Sequence, residues 1–409
     1  MLINPDRLRN SMEEMARIGA TPGGGVHRLT LSDADKEARD LFAARAREAG
    51  LRLTVDEMGN MFARRPGTEE GAPPAVAGSH LDSVPHGGRF DGSLGVLGAL
   101  EVVRSLNDKK IATRRPIEVV NWTNEEGPRF PPAMLGSGVF AGAYGRDFAY
   151  QRRDAEGRRF VDELERIGYR GEAPCRPRPL GCYLELHIEQ GPVLESEGVE
   201  IGVVEGIVAI AWLRVAMKGE RDHAGPTPMA MRRDALVGAA RAISAIREIP
   251  GKLDPDLVAT VGEIFVSPNA INVIPGRVAF SVDFRHSREA LMQKAHERVL
   301  EAVQGAARRE GLEVEVERIG GSSPLAFHPE AVAAVEEACR RAGYSSRRMW
   351  SAAGHDARYA AELGPGAMIF TPCVAGKSHT EEERATWEDA ARGCEVLALA
   401  LLALAGRAG

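Results

Sequence analysis

Two changes of secondary-structure pattern divide the sequence into three segments. The first segment alternates amphipathic helices with short apolar strands, as in the helix predicted from the N-cap Ser32 to about Glu48. After Val203 the pattern becomes richer in strands, and after Ser322 the first pattern returns. This order indicates an insertion, because the two outer segments can then share one sheet that is covered by helices.

The predicted elements set the boundaries of these segments. In the outer segments the predicted strands are 73–78, 117–122 and 367–370, and the helices are 93–105 and 386–405. In the middle segment the predicted strands are 207–217, 257–265 and 278–284, and the helices are 232–247 and 289–310. We therefore predict an α/β protein with a larger domain of residues 1–210 plus 325–409 and an inserted α+β domain of residues 211–324. Two domains also fit the chain length of 409 residues, since single cores stop growing at roughly 250–300.

Composition and charge argue against several classes of protein. The net charge is -6 and the arginines are scattered, which predicts no nucleic-acid partner. The N-terminus lacks the layout of a signal peptide, and the longest apolar run, 396–405, is shorter than the ~20 residues that span a bilayer. We therefore predict a cytoplasmic protein without membrane contact. The five cysteines are dispersed and form no CxxC pair, so any metal would be held by histidines and carboxylates.

The first candidate site residues follow the strand predicted at 73–78. His80 and Asp82 lie in the sequence GSHLDS, and Asp91 lies in the glycine-rich sequence GGRFDG before the next helix. Open α/β sheets bind ligands at strand ends, and imidazole with carboxylate is a common donor set for zinc and similar ions. Taken alone, the segment is explained about as well by a turn rich in Asp and Gly with a capping histidine.

Glu125 and Glu126 form an acidic pair directly after the strand predicted at 117–122. Adjacent carboxylates repel each other unless a cation or a shared proton compensates. One of the two can then be a metal ligand, and the other can be a general base whose pKa is raised by its neighbour. An isolated pair of this kind is more simply explained as a solvated loop.

Two further histidines complete the candidate set. In the sequence LELHIEQG, alternation places His187 on the same strand face as Glu185 and Glu189. His379 lies in the late sequence GKSH and, taken alone, would be a surface-loop residue. Together the candidates form a nitrogen and oxygen donor set large enough for two divalent ions about 3.5–4 Å apart. The set comprises His80, Asp91, one glutamate of the pair, His187 and His379.

The order of these motifs resembles the M20 metallopeptidase clan. The sequences HIEQGPVLE and DHAGPTPM further resemble its hydantoinase/carbamoylase branch. That branch includes N-carbamoyl-L-amino acid hydrolases, allantoate amidohydrolases and β-ureidopropionases, and the resemblance extends over essentially the whole chain. It implies a larger, zinc-peptidase-like catalytic domain and an inserted α+β lid and dimerisation domain.

The resemblance also implies a role for each motif residue. The implied metal ligands are His80 and His187 for one ion, Glu126 and His379 for the other, and Asp91 as a bridge between them. Glu125 would be the general base, and Asp82 would orient His80. The two divalent ions could be zinc, manganese, cobalt or nickel, because histidine and carboxylate suit all four.

Further residues are implied to contact a small ureido substrate. In similar proteins the residue matching His223 comes from the partner subunit of a homodimer and stabilises the oxyanion at the scissile carbonyl. The residue matching Arg285 clamps the substrate carboxylate with two parallel hydrogen bonds. Without the resemblance, Arg285 is more simply the partner of Asp283 in a strand-end salt bridge. The other implied substrate-binding residues are Gln190, Asn272, Gly354 and His355.

The expected activity is hydrolysis of the carbamoyl C–N bond of an N-carbamoyl-L-amino acid, which yields the amino acid, carbon dioxide and ammonia. Glu125 would take a proton from the attacking water and return it to the leaving nitrogen, while closure of the lid expels bulk water. One alternative is hydrolysis of allantoate by the same residues. A second alternative is a non-catalytic binding protein of the same fold, which the presence of every ligand and of the base disfavours.

Overall fold

A computed structural model describes residues 1–408, which divide into two compact units. Unit 1 contains Met1–Glu205 and the chain from Ala326 onward, and unit 2 contains Gly206–Leu325. The chain therefore leaves unit 1 once and returns to it once. The predicted α/β fold with an inserted α+β unit is confirmed. The predicted domain limits, and the roles of lid and dimerisation domain, stay predictions.

Unit 1 begins with alternating helices and strands. Its helices before the insertion are α1 (Pro5–Met15), α2 (Asp33–Glu48), α3 (Ser93–Asp108), α4 (Leu135–Ala141), α5 (Arg146–Tyr150), α6 (Phe160–Arg166) and α7 (Val193–Glu197). Its strands there are β1 (Arg52–Val55), β2 (Met61–Arg65), β3 (Ala75–His80), β4 (Ile117–Trp122), β5 (Cys182–Ile188) and β6 (Ile201–Ile207). The start of α2 is as predicted, because the Ser32 hydroxyl accepts a hydrogen bond from the backbone N–H of Asp35 at 3.2 Å.

Unit 2 is rich in antiparallel strands. Its strands are β7 (Ala209–Lys218), β8 (Asp222–His223), β9 (Val258–Thr260), β10 (Ile264–Ser267), β11 (Val273–Ile274), β12 (Arg277–His286) and β13 (Glu313–Ser322). Its helices are α8 (Ala235–Arg247), α9 (Ile249–Leu253) and α10 (Glu289–Glu310). The return to unit 1 adds β14 (Leu325–Ala326), α11 (Pro329–Ala342), β15 (Ser346–Ser351), α12 (Ala357–Ala360), β16 (Gly366–Thr371) and α13 (Trp387–Ala405).

The sheet of unit 1 has a parallel centre. Its strand order is β1-β2-β4-β3-β5-β16-β6-β14, and β15 also pairs with β6. Strands β4, β3, β5 and β16 run parallel, and antiparallel strands flank them. After β3 the chain first adds β4 on one side of β3 and later adds β5 on its other side. The strand order therefore reverses at β3. The carboxyl ends of the parallel strands meet at one edge there, which is where open α/β sheets bind ligands.

The prediction of one continuous strand at 257–265 is wrong, because two strands occupy this segment. Both β9 and β10 pair with β12, but the ladder is interrupted between them. At the interruption the backbone N–H of Glu263 donates to the hydroxyl of Ser281 at 3.1 Å instead of to a backbone carbonyl. Gly262 lies at this break, and the apolar residues on either side made the segment look continuous in the sequence.

The core of unit 2 follows a period of two. Inward-facing residues of β7 and β12, such as Val215, Phe280 and Phe284, are buried beneath α8 and α10, while their neighbours along each strand are more exposed. Burial of each such aromatic or branched side chain contributes about 1.5–3 kcal/mol. The alternation therefore fixes which face of the sheet the two helices cover.

Two predictions concern the chain as a whole. Among residues 1–408, no helix is both long enough and apolar enough to cross a membrane. All five cysteines in this part of the chain are free thiols, as their dispersed positions predicted. The cytoplasmic location and the absence of a nucleic-acid partner stay predictions.

Candidate active site

The parallel strands of unit 1 bring the predicted metal ligands to one edge of the sheet. His80 is the last residue of β3, and Glu125 and Glu126 follow β4. His187 lies next to the end of β5, and His379 lies in the loop between β16 and α13. Parallel pairing is the reason that residues so far apart in the chain share one site.

The carboxylate of Asp91 lies at the centre of these residues. Its Oδ1 is 3.4 Å from Nε2 of His80 and 3.1 Å from Nε2 of His187. Its Oδ2 is 3.5 Å from Nε2 of His379, and the same nitrogen is 3.5 Å from Oε2 of Glu126. Two groups of possible metal ligands, each with histidine and carboxylate, therefore share one carboxylate.

Backbone carbonyls orient the two strand histidines. Nδ1 of His80 is 2.9 Å from the carbonyl oxygen of Asp82, and Nδ1 of His187 is 2.9 Å from that of Ile188. A carbonyl only accepts hydrogen bonds, so each Nδ1 carries a hydrogen and each Nε2 can present its lone pair towards Asp91. This is the arrangement that metal-binding histidines need, and the donor set fits divalent ions of the zinc type.

Asp82 acts on two parts of the site. It orients His80 through its main-chain carbonyl, whereas its carboxylate lies 3.8 Å from the ring. That carboxylate accepts hydrogen bonds from the Thr30 hydroxyl at 2.5 Å and from the N–H groups of Glu125 and Glu126 at 3.2 and 3.3 Å. Asp82 therefore also fixes the turn that carries the acidic pair, a contact that no local sequence pattern indicates.

The site concentrates negative charge in the protein interior. Burial, reinforced by the carboxylates of Asp356 and Glu126, raises the pKa of Glu125 well above its usual range. Burial and then Asp91 likewise raise the pKa of Glu126. Burial alone would lower the pKa of His80, but Glu125 and its neighbours outweigh this effect and raise it. Buried carboxylates that crowd together in this way favour a bound cation.

A third histidine–carboxylate group lies beside the first. Glu185, His187 and His355 also present possible ligand atoms to one another. The carboxylate of Glu185, however, already accepts hydrogen bonds from the hydroxyls of Ser79 and Tyr183, at 2.7 and 3.0 Å, and from a backbone N–H. These donors satisfy its charge without a metal, so we regard this group as structural support for the site.

His355 is more buried than its predicted contact with substrate suggested. Only 1% of its surface is exposed, and its ring packs edge-on against His187 with 4.6 Å between the ring centroids. Its Nε2 is 2.9 Å from the hydroxyl of Ser351, and burial lowers the pKa of His355 well below its usual value. His355 therefore supports the ring of His187, and the neighbouring Gly354 is half-buried.

Gln190 contacts Asp91 and has one buried acceptor atom that a ligand could satisfy. Its Nε2 donates to Oδ2 of Asp91 at 2.7 Å, and its backbone adopts a left-handed conformation with φ of 57°. Its Oε1 is buried and has no hydrogen-bond partner among the described residues. A buried acceptor of this kind is satisfied when a ligand donates an N–H or O–H to it.

Unit 2 brings two of its predicted residues together. Strands β8 and β11 pair so that His223 lies opposite Val273, and the N–H of Ala224 donates to the carbonyl of Asn272 at 3.0 Å. Nδ1 of His223 accepts the N–H of Gly225 at 3.0 Å, so the ring hydrogen lies on Nε2. Both His223 and Asn272 are exposed, and His223 can donate a hydrogen bond from Nε2.

Arg285 forms the salt bridge that its sequence position suggested. Its Nε and Nη2 donate to the two carboxylate oxygens of Asp283 at 3.0 and 2.6 Å. Both side chains are half-buried on one face of β12, as residues two apart on a strand must be. A substrate carboxylate at Arg285 would share the guanidinium with Asp283.

Sequence reasoning missed two polar residues that contact the site. Thr30 lies far from its partner Asp82 along the chain, and nothing in its local sequence marks it. Glu383 lies in the acidic run that follows His379, where it is 2% exposed and accepts a hydrogen bond from the N–H of Asp91. The only signal for Glu383 is its position, four residues after a predicted ligand.

Known proteins resemble this chain in sequence over nearly its whole length. Residues 76–403 match Peptidase family M20/M25/M40, and the chain belongs to this family. It is 46% identical over 400 residues to an N-carbamoyl-L-amino-acid amidohydrolase of Rhizobium meliloti, covering 98% of this chain and 96% of that protein. It is 36% identical over 403 residues to the allantoate amidohydrolase of Escherichia coli K12, covering 97% and 98% of the two chains.

A solved structure extends the likeness to three dimensions. The crystal structure of an amidase of the hydantoinase/carbamoylase family from Burkholderia multivorans is 51% identical, with a TM-score of 0.95 over 98% of both chains. The predicted resemblance to the M20 clan and to its hydantoinase/carbamoylase branch is therefore confirmed.

Proposed function

We propose that the protein hydrolyses the carbamoyl C–N bond of N-carbamoyl-L-amino acids at a centre of two divalent metal ions. The observation that carries the proposal is the shared carboxylate of Asp91, which faces two histidines with one oxygen and a third with the other. The Rhizobium meliloti relative, which matches over nearly the whole chain, supports this substrate class. The products are the amino acid, carbon dioxide and ammonia.

The two ions are zinc, manganese, cobalt or nickel, since the donor set suits all four. One ion would be held by His80, His187 and Asp91, and the other by Asp91, Glu126 and His379. When bound, the ions would polarise the ureido carbonyl and ease the loss of a proton from water. Orientation of the histidines by backbone carbonyls and the burial of the carboxylates support this assignment.

Two side chains of unit 1 act directly on the substrate. Glu125 lies beside the ligands without belonging to either ligand group, so its carboxylate takes the proton of the attacking water and returns it to the leaving nitrogen. Gln190 accepts a hydrogen bond from the ureido N–H₂ through its unsatisfied Oε1. An ester or plain carboxylate at the same position would leave that acceptor unpaired.

Arg285 recognises the carboxylate of the amino acid. We expect Arg285→Lys to raise KM for N-carbamoyl-L-methionine about tenfold or more with a smaller change in kcat. The physical reason is that each hydrogen bond to a charged group contributes about 1.5–3 kcal/mol, and lysine cannot form the parallel pair. Steady-state kinetics measure this effect. Arg288→Lys, at an exposed arginine that pairs with Asp254, is the matched control and should leave KM unchanged; an unchanged KM in Arg285→Lys contradicts the role.

The protein acts as a homodimer in which His223 serves the site of the partner subunit. The exposed side chains of Ile264 and Phe265 on the edge strand β10 support an interface on unit 2. The Nε2 hydrogen of His223 would be donated to the oxyanion that forms at the ureido carbonyl, an interaction that supplies about 2.7–4 kcal/mol in other enzymes.

Subunit mixing tests this arrangement. The variants Glu125→Ala and His223→Ala are each expected to be inactive, and mixing them should restore activity. In a hybrid dimer, one site then has an intact Glu125 and receives an intact His223 from the other chain. The readout is ammonia release after unfolding and refolding the two chains together. If His223 acted within its own chain, no site in the hybrid would be complete and no activity would return.

Allantoate is the second candidate substrate, and the Escherichia coli relative is the observation that favours it. A panel of substrates separates the candidates: N-carbamoyl-L-methionine, its D-enantiomer, N-carbamoyl-β-alanine, allantoate and N-acetyl-L-methionine. Ammonia release by metal-reconstituted protein is measured in parallel, with amino-acid release for the acetyl compound. We expect preference for the L-carbamoyl compound. Preference for allantoate would keep the metal ligands and the base but replace the substrate, and no turnover of any compound would favour a binding protein.

A further inference from the structure

Glu383 is a buried carboxylate within an acidic surface run. The run is 381–383, and in it Glu382 is exposed and Glu381 is half-buried. Glu383 alone turns inward, with 2% of its surface exposed. Burial of a carboxylate costs considerable free energy unless hydrogen bonds compensate. The contacts of Glu383 therefore indicate its role in the structure.

The two oxygens of Glu383 hold two different segments of the metal centre. Oε1 accepts the backbone N–H groups of Phe90 and Asp91 at 3.2 and 3.1 Å. Oε2 accepts the hydroxyl of Ser378 at 2.9 Å, and the same hydroxyl oxygen is 3.3 Å from Oδ2 of Asp91. Glu383 therefore connects the turn that carries Asp91 with the residue that precedes His379.

The turn around Asp91 leaves room for this carboxylate. At Gly88, a Cβ atom would lie 1.9 Å from the Cδ atom of Glu383, so any larger residue would displace the carboxylate. The Asp91 turn and Glu383 therefore pack closely against each other. A surface glutamate that approached the turn by chance would not require a glycine at position 88.

His379 is held less firmly by its own surroundings than the other two histidine ligands are. His80 and His187 lie at strand ends and are 1% exposed, with Nδ1 of each bound to a backbone carbonyl. The His379 side chain is 52% exposed and stands on a loop, where its backbone has a φ of 57°. Its position relative to Asp91 therefore depends on what holds that loop in place.

We propose that Glu383 is a positioning residue that fixes the His379 loop against the Asp91 turn and so sets the geometry of the second metal site. That site consists of Asp91, Glu126 and His379. The proposal rests on the two-ion centre of the proposed function. The expected effect is larger at the second metal site than at the first. Both oxygens of Glu383 hold segments that carry ligands of the second site, whereas two ligands of the first site are fixed on strands.

Metal titration of the purified full-length protein tests this proposal without a substrate. Metal-free protein is titrated with Co²⁺ alone and followed by calorimetry and by the visible absorption of the bound ion. In Glu383→Ala, we expect the weaker of the two dissociation constants to rise about 10- to 100-fold, as is usual when a partner of a metal ligand is lost. The tighter constant should change much less, and the absorption change should be confined to the second binding event.

Two variants serve as controls for this titration. Glu383→Gln keeps the Oε1 acceptor and can donate from its amide to Ser378, so it should bind both ions nearly as the unchanged protein does. Glu388→Ala removes an exposed glutamate that pairs with Arg392 at the protein surface, and it should have no effect. Equal loss of affinity in Glu383→Gln and Glu383→Ala would contradict the hydrogen-bonding role.

Ser378→Ala keeps the test decisive if Glu383→Ala does not fold. It removes the hydroxyl next to His379 that donates to Glu383 but leaves Glu383 bound to the Asp91 turn, and it should weaken the second binding event selectively. Unchanged constants in a folded Glu383→Ala, or in Ser378→Ala, would overturn the proposal, and so would equal weakening of both events. A single binding event in the unchanged protein would overturn both this proposal and the two-ion centre. Because metal binding is the readout, failure to hydrolyse ureido compounds would count against the proposed substrate and not against Glu383.

Discussion

Glu125→Ala is expected to abolish turnover of N-carbamoyl-L-amino acids while leaving the metal content nearly unchanged. Glu125 belongs to neither ligand group, although its Oε2 is 3.5 Å from Nε2 of His80. Removing a general base lowers the rate by about 10²- to 10⁴-fold, and here the same carboxylate also returns the proton to the leaving nitrogen. Ammonia release and elemental analysis of the same sample measure the two quantities.

Glu125→Gln separates the chemistry of this residue from its shape. The amide keeps the size of the side chain but cannot take a proton, so this variant should be nearly as inactive as the alanine variant. Glu57→Gln, a glutamate paired with Arg146 away from the centre, is the matched control and should keep full activity. Most of the activity surviving in Glu125→Ala would remove the proposed role, and loss of the metal would make Glu125 a ligand instead.

Asp91→Ala is expected to lose most of the bound metal and all activity. Both ligand groups include the Asp91 carboxylate, so its removal leaves three histidines and Glu126 without a shared anion. In the unchanged protein, metal at 100 times its dissociation constant should stabilise the fold by about 2.7 kcal/mol per site. That gain should be absent in Asp91→Ala. Elemental analysis and thermal unfolding with and without added metal measure both effects.

Glu126→Ala is the comparison that makes the Asp91 result specific. Glu126 belongs only to the second group, so this variant should keep the ion beside His80 and His187 and lose the other. Retention of both ions by Asp91→Ala would contradict a bridging carboxylate. Equal metal loss in the two variants would show that the two sites do not bind independently.

The positions of the strand-end ligands could be predicted from the sequence. Buried strands are recognisable by their apolar composition, and the carboxyl ends of parallel strands must share one edge of the sheet. His80 and the pair Glu125 and Glu126 follow such strands, and they do meet in the structure. The likeness of longer motifs to a known family supplied the pairing with Asp91 and His379, which local patterns alone left open.

Contacts between distant residues could not be predicted in the same way. The carboxylate of Asp82 accepts hydrogen bonds from Thr30 and from the turn after β4, while its main-chain carbonyl is the group within hydrogen-bonding distance of His80. Glu383 looks like part of a solvated acidic run, because no local pattern shows that one glutamate of three turns inward. Such contacts depend on how loops pack in space.

The middle of the chain shows the complementary case. Arg285 and Asp283 were paired correctly from their spacing, since residues two apart on a strand share a face. The prediction of a single strand at 257–265 was wrong, because the ladder is not continuous there. At the break the Glu263 backbone donates to the Ser281 hydroxyl, a contact that leaves no mark on the apolar pattern. Short-range geometry was therefore predictable, and an interruption of pairing with another strand was not.

Anomalous X-ray diffraction from crystals of the zinc- or manganese-reconstituted protein tests the two-ion centre most directly. We predict two peaks about 3.5–4 Å apart, the usual separation of two-metal sites. One peak should lie beside His80 and His187, the other beside Glu126 and His379, with the carboxylate of Asp91 between them. A single peak, or a peak among Glu185, His187 and His355, would contradict this account of the site.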